Sequence, residues 1–178
     1  MVPPIRGRVV PFPARPHPLC AMICPMDAMD RKMLAVLQEE GRISNAALAE
    51  RLHLSPSPCL RRMRALEQEG VIAGYRAVLD REKLGIPMTV FVELKVDGHS
   101  DRSAAAISKA VNATPEIVAA HIVSGSADFL LEVAVADLAH YERVMFETLL
   151  KLPNVADVRS NFALRTVKAP GPLPVQAT

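Results

Sequence analysis

The stretch HLSPSPCLRRMRALEQEG, residues 53–70, places two closely spaced prolines before a segment rich in arginine. Proline is tolerated in the first turn of a helix, because the N–H groups of that turn have no intrahelical acceptor. Ser55 is therefore predicted as the N-cap, Pro56 as the first helical residue and Pro58 as the third. Gly70 supplies the C-terminal stop. The two prolines thus mark where a helix begins.

Two shorter helices are predicted upstream of this one. In DAMDRKMLAVLQEEG (27–41), apolar side chains recur at helical spacing. In SNAALAERLHL (44–54), Ser44 or Asn45 is the expected cap, and a second apolar stripe follows. Three short helices with tight connections, the last two only a few residues apart, have helix-turn-helix spacing. The next segment, GVIAGYRAVLD (70–80), alternates apolar and polar residues, which predicts a strand or a small wing.

The third helix presents two chemically different faces at about 100° per residue. The side expected to pack on the other two helices consists of Cys59, Leu60, Met63 and Leu66. The opposite side offers hydroxyl, guanidinium and amide groups, which read base edges and bind phosphate. The predicted DNA-contacting residues are Ser57, Pro58, Arg61, Arg62, Arg64 and Gln68, with Arg62 near the border of the two faces. The alternative is a merely solvated face, because Glu67 and Glu69 follow.

In the second half of the chain the hydrophobic period changes to two. MTVFVELKV (88–96) alternates apolar and polar residues, and a short GSA turn joins two further strand-like segments into an antiparallel hairpin. Strands are predicted at 88–96, 116–125, 128–135 and 155–167, and helices at 101–112 and 138–152. The order β-α-β-β-α-β is typical of the ferredoxin-like sandwich.

Composition and charge narrow the class of protein. The net charge is +2, but residues 1–83 carry thirteen Lys/Arg against nine Asp/Glu, whereas residues 84–178 carry eight against ten. This asymmetry suits a polyanion-binding half joined to a neutral half. No apolar run approaches the ~20 residues of a membrane span. An odd number of cysteines without disulfide-framework spacing indicates a reduced, cytoplasmic location.

The first 26 residues contain seven prolines, three arginines and no acid, a composition typical of a disordered segment. His17, Cys20 and Cys24 are conceivable metal ligands there, but no fourth ligand is in view, so no metal site is expected. The sequence contains no nucleophile elbow, no phosphate-binding glycine loop and no metal-ligand spacing. We therefore expect neither enzymatic activity nor a cofactor.

Five separated blocks of the sequence carry a resemblance to a known family. They are GRISN, LSPSPCL and LEQEGVIAGY in the first half, and HIVSGSADFLLEV and ETLLKLPNVADVRS in the second. The first three resemble the DNA-binding domain, and the last two the ligand-binding and oligomerisation domain, of the Lrp/AsnC (feast/famine) regulators. The resemblance covers about residues 29–168 and leaves the proline-rich leader outside.

This resemblance implies a cytoplasmic, nucleoid-associated transcriptional regulator that binds double-stranded DNA in a sequence-specific manner and controls amino-acid metabolism genes. It also implies a homodimer that assembles into higher oligomers, often octamers. Many members respond to an amino acid, so a small amino-acid effector is expected, either leucine or another apolar amino acid.

We expect an α+β fold with an N-terminal winged helix-turn-helix domain followed by a ferredoxin-like βαββαβ sandwich. The expected organisation is a disordered leader at 1–26, a helix-turn-helix DNA-binding domain with a linker strand at 27–83, a ligand-binding and oligomerisation domain at 84–168, and a loose tail at 169–178.

The resemblance places the effector between subunits, near the loop SGSAD (124–128). Gly125 and Asp128 match the family's G-x-x-D pattern, whereas Ser126 and Ala127 replace an acidic and an aromatic residue of the leucine-responsive relatives. A zwitterionic amino acid needs an anion for its ammonium and N–H donors for its carboxylate. Asp128 can supply the anion, and the backbone around Gly125 and Ser126 the donors. The expected effector-binding residues are therefore Gly125, Ser126 and Asp128.

Other roles are open for two residues near the loop and for the protein as a whole. Asp128 could be only a hairpin-turn residue, and His121 is expected to be a buried, hydrogen-bonded structural histidine rather than an effector ligand. At the level of function, the alternatives are an architectural DNA-packing protein without an effector and a ferredoxin-like small-molecule enzyme. Binding to one promoter rather than uniformly along DNA would distinguish a regulator from a packing protein.

Overall fold

A computed structural model of the chain describes residues 26–97 and 101–175, with the backbone alone at 101–103. Within these ranges the chain forms two compact units. The first contains the residues up to Ala77 together with those from Pro170 onward, and the second is Val78–Ala169. Residues 1–25 of the predicted leader, including His17, Cys20 and Cys24, lie outside the described residues.

The first unit contains the three predicted helices, α1 (Ala28–Glu39), α2 (Asn45–Arg51) and α3 (Pro56–Gln68). Ser44 caps α2, because its hydroxyl accepts the N–H of Ala47. Ser55 precedes α3 as predicted, but its hydroxyl makes no capping bond. Pro58, the third residue of the helix, lacks one of the N–H groups that an N-cap hydroxyl can accept. Met33, Leu48 and Cys59, one from each helix, are almost completely buried in a shared core.

Residues 71–80 form no strand, contrary to the expectation at 70–80, and no described strand pairs with them. Ile72 packs against the helical core, and the Tyr75 hydroxyl donates to Glu67 Oε1 at 3.0 Å. Beyond Tyr75 the apolar side chains are open to solvent, and Val78 is 100% exposed. An alternating pattern forms a strand only where a neighbouring strand accepts and donates the backbone hydrogen bonds. Within the described residues no such neighbouring strand lies beside 71–80.

The second unit confirms the predicted βαββαβ order. Its elements are β1 (Met88–Val96), α4 (Asp101–Ala113), β2 (Ile117–Ile122), β3 (Phe129–Val135), α5 (Leu138–Glu147), a 3-10 turn (Leu149–Lys151) and β4 (Val155–Phe162). The antiparallel sheet has the order β2-β3-β1-β4. β4 ends at Phe162, short of the predicted residue 167, because its partner Val90 is already near the start of β1. The fully buried core residues include Val90, Val92, Leu94, Ile107, Leu131, Val133, Val135 and Leu149.

The two faces of this sheet differ. One face packs on α4 and α5, where the Tyr141 hydroxyl lies 2.6 Å from Ser160 Oγ. The other face, called the open face below, carries no helix among the described residues. Near its centre Phe91 lies between Glu132 of β3 and Asn161 of β4, and it is 39% exposed. The open face therefore leaves an aromatic side chain in contact with water.

The described part of the C-terminal segment, up to residue 175, is not the loose tail expected at 169–178, and residues 176–178 lie outside the described ranges. The Leu173 N–H donates to Gln38 Oε1 at 2.6 Å, and Gln38 Nε2 donates to the Leu173 carbonyl at 3.1 Å. Val175 packs against the core of the first unit. Local composition misses this docking because its partner, α1, lies 135 residues away along the chain. Among the described residues, no helix has the length and apolar character needed to cross a membrane.

His53, between α2 and α3, has a φ of 54° and is exposed. A residue with a Cβ is strained in this left-handed region, whereas glycine is not. We expect His53→Gly to raise the free energy of unfolding by about 0.5–1 kcal/mol, measured by urea denaturation. His53→Ala removes the same side chain and keeps the Cβ, so it should give no such gain. Equal effects of the two substitutions would contradict the assignment of strain.

Candidate functional site

Four of the predicted DNA-contacting side chains lie on the solvent-facing surface of α3: Ser57, Arg61, Arg64 and Gln68. Neither Arg61 nor Arg64 forms a salt bridge with any described residue. Pro58 is half-buried at the start of the same helix. The exposed face of α3 therefore offers two guanidinium groups, a hydroxyl and an amide, which suit contacts to phosphates and base edges.

Arg62 is arranged differently from the arginines on either side of it. Its Nη1 atom donates to Asp27 Oδ2 at 2.6 Å and to Asp30 Oδ1 at 2.8 Å. Both acids belong to the N-terminus of α1. The structure thus places Arg62 against α1, whereas the sequence predicted it among the DNA contacts. Helical periodicity could not reveal these partners, because they lie more than 30 residues away along the chain.

The electrostatics of this contact favour the charged state of both partners. The pKa of Asp27 is lowered, first by the hydrogen bond from the Asp30 backbone N–H and then by Arg62. Hydrogen bonds to Asp30 and Asp27 raise the pKa of the Arg62 guanidinium. A carboxylate whose folded pKa is depressed contributes stability above its ordinary pKa and loses it as the pH falls. Acidification should therefore weaken the contact between α1 and α3.

Asn45 makes a second contact that sequence reasoning missed. Its Nδ2 atom donates to the Pro56 carbonyl at 3.0 Å, which connects the start of α2 to the start of α3. Its Oδ1 atom is buried without a partner among the described residues. The sequence suggested Asn45 only as a possible cap, and Ser44 takes that role instead.

The predicted effector loop joins β2 to β3. Gly125 has a φ of 122°, which a residue with a side chain rarely adopts, so the turn requires a glycine there. The Val123 N–H donates to the Asp128 carbonyl, and the Asp128 N–H donates to the Leu94 carbonyl. These bonds attach the loop to the adjacent strand β1.

The Asp128 carboxylate also points toward β1. One oxygen accepts from Lys95 Nζ at 3.2 Å and the other from the Val96 N–H at 2.8 Å. Only 18% of the Asp128 side chain is exposed. The structure therefore shows Asp128 holding the loop in place, which is the role that the hairpin-turn alternative describes.

His121 is exposed on the open face of edge strand β2, opposite Leu130. The expectation of a buried, hydrogen-bonded histidine is wrong for the single chain. The reason is that no element in the described part of the chain covers this face of the edge strand.

Beside the loop lies an open depression of about 130 Å³. Its lining residues are Glu93, Lys95, Ser126, Ala127, Asp157 and Arg159. Glu93 of β1 is opposite Arg159 of β4, and Lys95 is opposite Asp157, so acidic and basic groups alternate across the strands. Carboxylates can bind an ammonium group, and Lys and Arg can bind a carboxylate. The arrangement is suited to a small zwitterion.

The sequence identified only one member of this lining, Ser126, as a site residue. The other four polar side chains alternate along β1 and β4, which marks them as outward-facing but not as neighbours. Strand pairing brings them together, and the register between the two strands was not predicted. Among the described residues no group of three or more His, Cys, Asp or Glu side chains could hold a metal ion.

Comparison with known proteins gives two family matches. Residues 26–73 match the winged helix-turn-helix DNA-binding family, and residues 89–173 match the Lrp/AsnC ligand binding domain. Together the two matches cover most of the chain.

Individual relatives extend the similarity over both units. The chain is 43% identical to the leucine-responsive regulatory protein of Haemophilus influenzae over 143 residues, 80% of this chain and 86% of that protein. It is 41% identical to the Escherichia coli protein of the same name, over 80% of this chain and 87% of that protein. A transcriptional regulator from Neisseria meningitidis, solved with L-Met, has a TM-score of 0.80 and 34% identity, covering 84% of this chain and 97% of that one.

Proposed function

The chain belongs to the Lrp/AsnC family of DNA-binding transcriptional regulators, and we propose that it controls amino-acid metabolism genes as a homodimer whose assembly responds to a small amino acid. Its domains and relatives are those of transcription regulators and not of enzymes. The winged helix-turn-helix unit binds DNA, and the second unit is an amino-acid-binding domain.

The exposed face of α3 supports a sequence-specific contact with DNA. We assign base-edge and phosphate contacts to Ser57, Arg61, Arg64 and Gln68, with Pro58 at the helix start. Two such helices in a two-fold dimer would read two half-sites about 34–36 Å apart, or a multiple of that distance. A paired footprint at defined promoters favours a regulator, whereas uniform coverage would favour a DNA-packing protein.

The homodimer is supported by apolar surface that one chain leaves uncovered. Phe91 is near the centre of the open face, and Val78 and Leu79 are 100% and 63% exposed in the segment before β1. Large exposed apolar side chains of this kind can become buried in a protein–protein contact. A second copy of the same chain can cover both surfaces through a two-fold axis, because the same patch then meets itself.

The effector is assigned to the depression beside the 124–128 loop. Lys95, Arg159 and the backbone around Gly125 and Ser126 would hold the α-carboxylate, and Glu93 and Asp157 the α-ammonium. Asp128 contributes by holding the loop and Lys95 in place. Leucine and methionine are the first candidates, because curated relatives are named leucine-responsive and the Neisseria structure contains L-Met.

Thermal-shift screening of the twenty amino acids tests this assignment. An effector present at 100 times its Kd should add about 2.7 kcal/mol to the free energy of unfolding. We expect Glu93→Gln and Asp157→Asn together to abolish the shift, because the ammonium loses its counter-charges. Glu142→Gln, an exposed acid on α5, is the matched control. A shift that persists in the double variant would place the effector elsewhere, and the absence of any shift would contradict an amino-acid response.

A further inference from the structure

We infer that Arg62 is a positioning residue, which holds the recognition helix α3 against the capped N-terminus of α1 instead of contacting DNA, so that operator affinity depends on Asp27 and Asp30. This inference rests on the proposed role of α3 as the recognition helix. It assigns a function in DNA binding to two acidic residues, which simple charge arguments would count as unfavourable near a polyanion.

The geometry shows how each carboxylate serves two purposes. Asp27 Oδ1 accepts the backbone N–H groups of Met29 and Asp30, both at 2.8 Å, while Asp27 Oδ2 faces Arg62. Asp30 Oδ2 accepts the Asp27 N–H at 3.1 Å, while Asp30 Oδ1 faces Arg62. One oxygen of each acid thus closes the capping box of α1, and the other binds the guanidinium. The capping box holds the two acids in the orientation in which they face Arg62.

The environment of Arg62 separates it from the neighbouring arginines. Its side chain is 36% exposed, and Asp30 is only 16% exposed. One positive charge meets two negative ones, so this three-residue cluster adds no net positive charge to the protein surface. Arg61 and Arg64 form no salt bridge with a described residue and remain available to the bases and phosphates of DNA. Of the three arginines of α3, Arg61 and Arg64 are therefore assigned to DNA, and Arg62 positions the helix.

Salt-dependent operator binding distinguishes the two roles. Log K falls as log salt rises, and each phosphate contact made by Lys or Arg makes this negative slope steeper by about 0.9. Arg64→Ala should make that slope shallower by about 0.9, whereas Arg62→Gln should lower affinity at every salt concentration and leave the slope unchanged.

Substitution of the two acids gives a second test. Removing negative charge near DNA should raise affinity on charge alone, whereas the positioning role predicts that affinity falls. Asparagine is a good N-cap, so Asp27→Asn keeps the cap and weakens only the ionic contact with Arg62. We expect Asp27→Asn with Asp30→Asn to weaken operator binding by about fivefold, the scale of one partly exposed ion pair. Glu39→Gln is the matched control for Asp27→Asn alone, because each removes one negative charge from the start or the end of α1, and Glu39 is exposed. Glu39→Gln should leave affinity unchanged or raise it.

Two results would contradict the positioning role of Arg62. Operator affinity that is unchanged or increased in the Asp27/Asp30 variant overturns the positioning role. A slope of log K against log salt that becomes shallower by about 0.9 in Arg62→Gln overturns it as well. Melting temperatures show whether each variant is folded during the titration. If the double variant is unfolded, Asp27→Asn alone makes the same comparison. If α3 does not recognise DNA, the unsubstituted protein will show no preference for the operator and Arg61→Ala will not change its affinity. The comparison of the acidic variants tests only the positioning role of Arg62.

Discussion

Arg61→Ala is expected to weaken binding to the operator by about 5- to 150-fold, which corresponds to the 1–3 kcal/mol of a bidentate base contact. Arg61 is exposed on the outer face of α3 and forms no salt bridge with a described residue. Its guanidinium is therefore free to donate two parallel hydrogen bonds to a guanine, the commonest specific contact in the major groove. Loss of that contact should also reduce the preference for the operator over unrelated DNA.

The measurement is a gel-shift titration of the operator, located first by footprinting, against a scrambled duplex. Arg64→Ala should weaken binding to both duplexes alike if Arg64 contacts phosphate. Arg143→Ala, an exposed arginine on α5, makes the same charge change in the other unit and should leave binding nearly unchanged. Unaltered operator affinity in Arg61→Ala would contradict the assignment of the outer face of α3 to DNA.

Phe91→Asp is expected to dissociate the proposed dimer and to lower operator affinity by about 10²- to 10⁴-fold. In a dimer formed through the open face, Phe91 becomes buried, and a carboxylate at that position would lose its hydration. Glu132, opposite Phe91, is already paired with Arg81 at 2.8 Å. Two linked recognition helices bind the second half-site at a high effective concentration, and separate monomers lose this advantage.

Sedimentation and operator binding together test this result. Phe146→Asp is the matched control, because Phe146 is 58% exposed on α5 and lies away from the open face. This variant should remain dimeric and should bind the operator with nearly unchanged affinity. A Phe91→Asp protein that sediments as a dimer would show that the open face is not the contact between subunits.

The sequence by itself determined the order of the five helices and of the four strands of the sheet, although it also predicted a strand at 70–80 that the structure lacks. The prolines at 56 and 58 start α3 where predicted, Ser44 caps α2, and the change of hydrophobic period separates the helical unit from the sheet. These features are local: a cap, a first-turn proline or an alternating run involves residues within a few positions of one another. The βαββαβ order follows from the same local signals taken in sequence.

Only the tertiary structure decided how distant residues are paired. Arg62 binds Asp27 and Asp30, Asp128 binds Lys95, and Gln38 binds the backbone of Leu173. In each pair the partners are more than 30 residues apart, so no periodicity in the sequence relates them. The acidic and basic groups of the depression likewise become neighbours only through the register of β1 with β4. A charged side chain has several possible partners of opposite sign, and the packing of the whole fold selects among them, because it alone sets the distances between their charges.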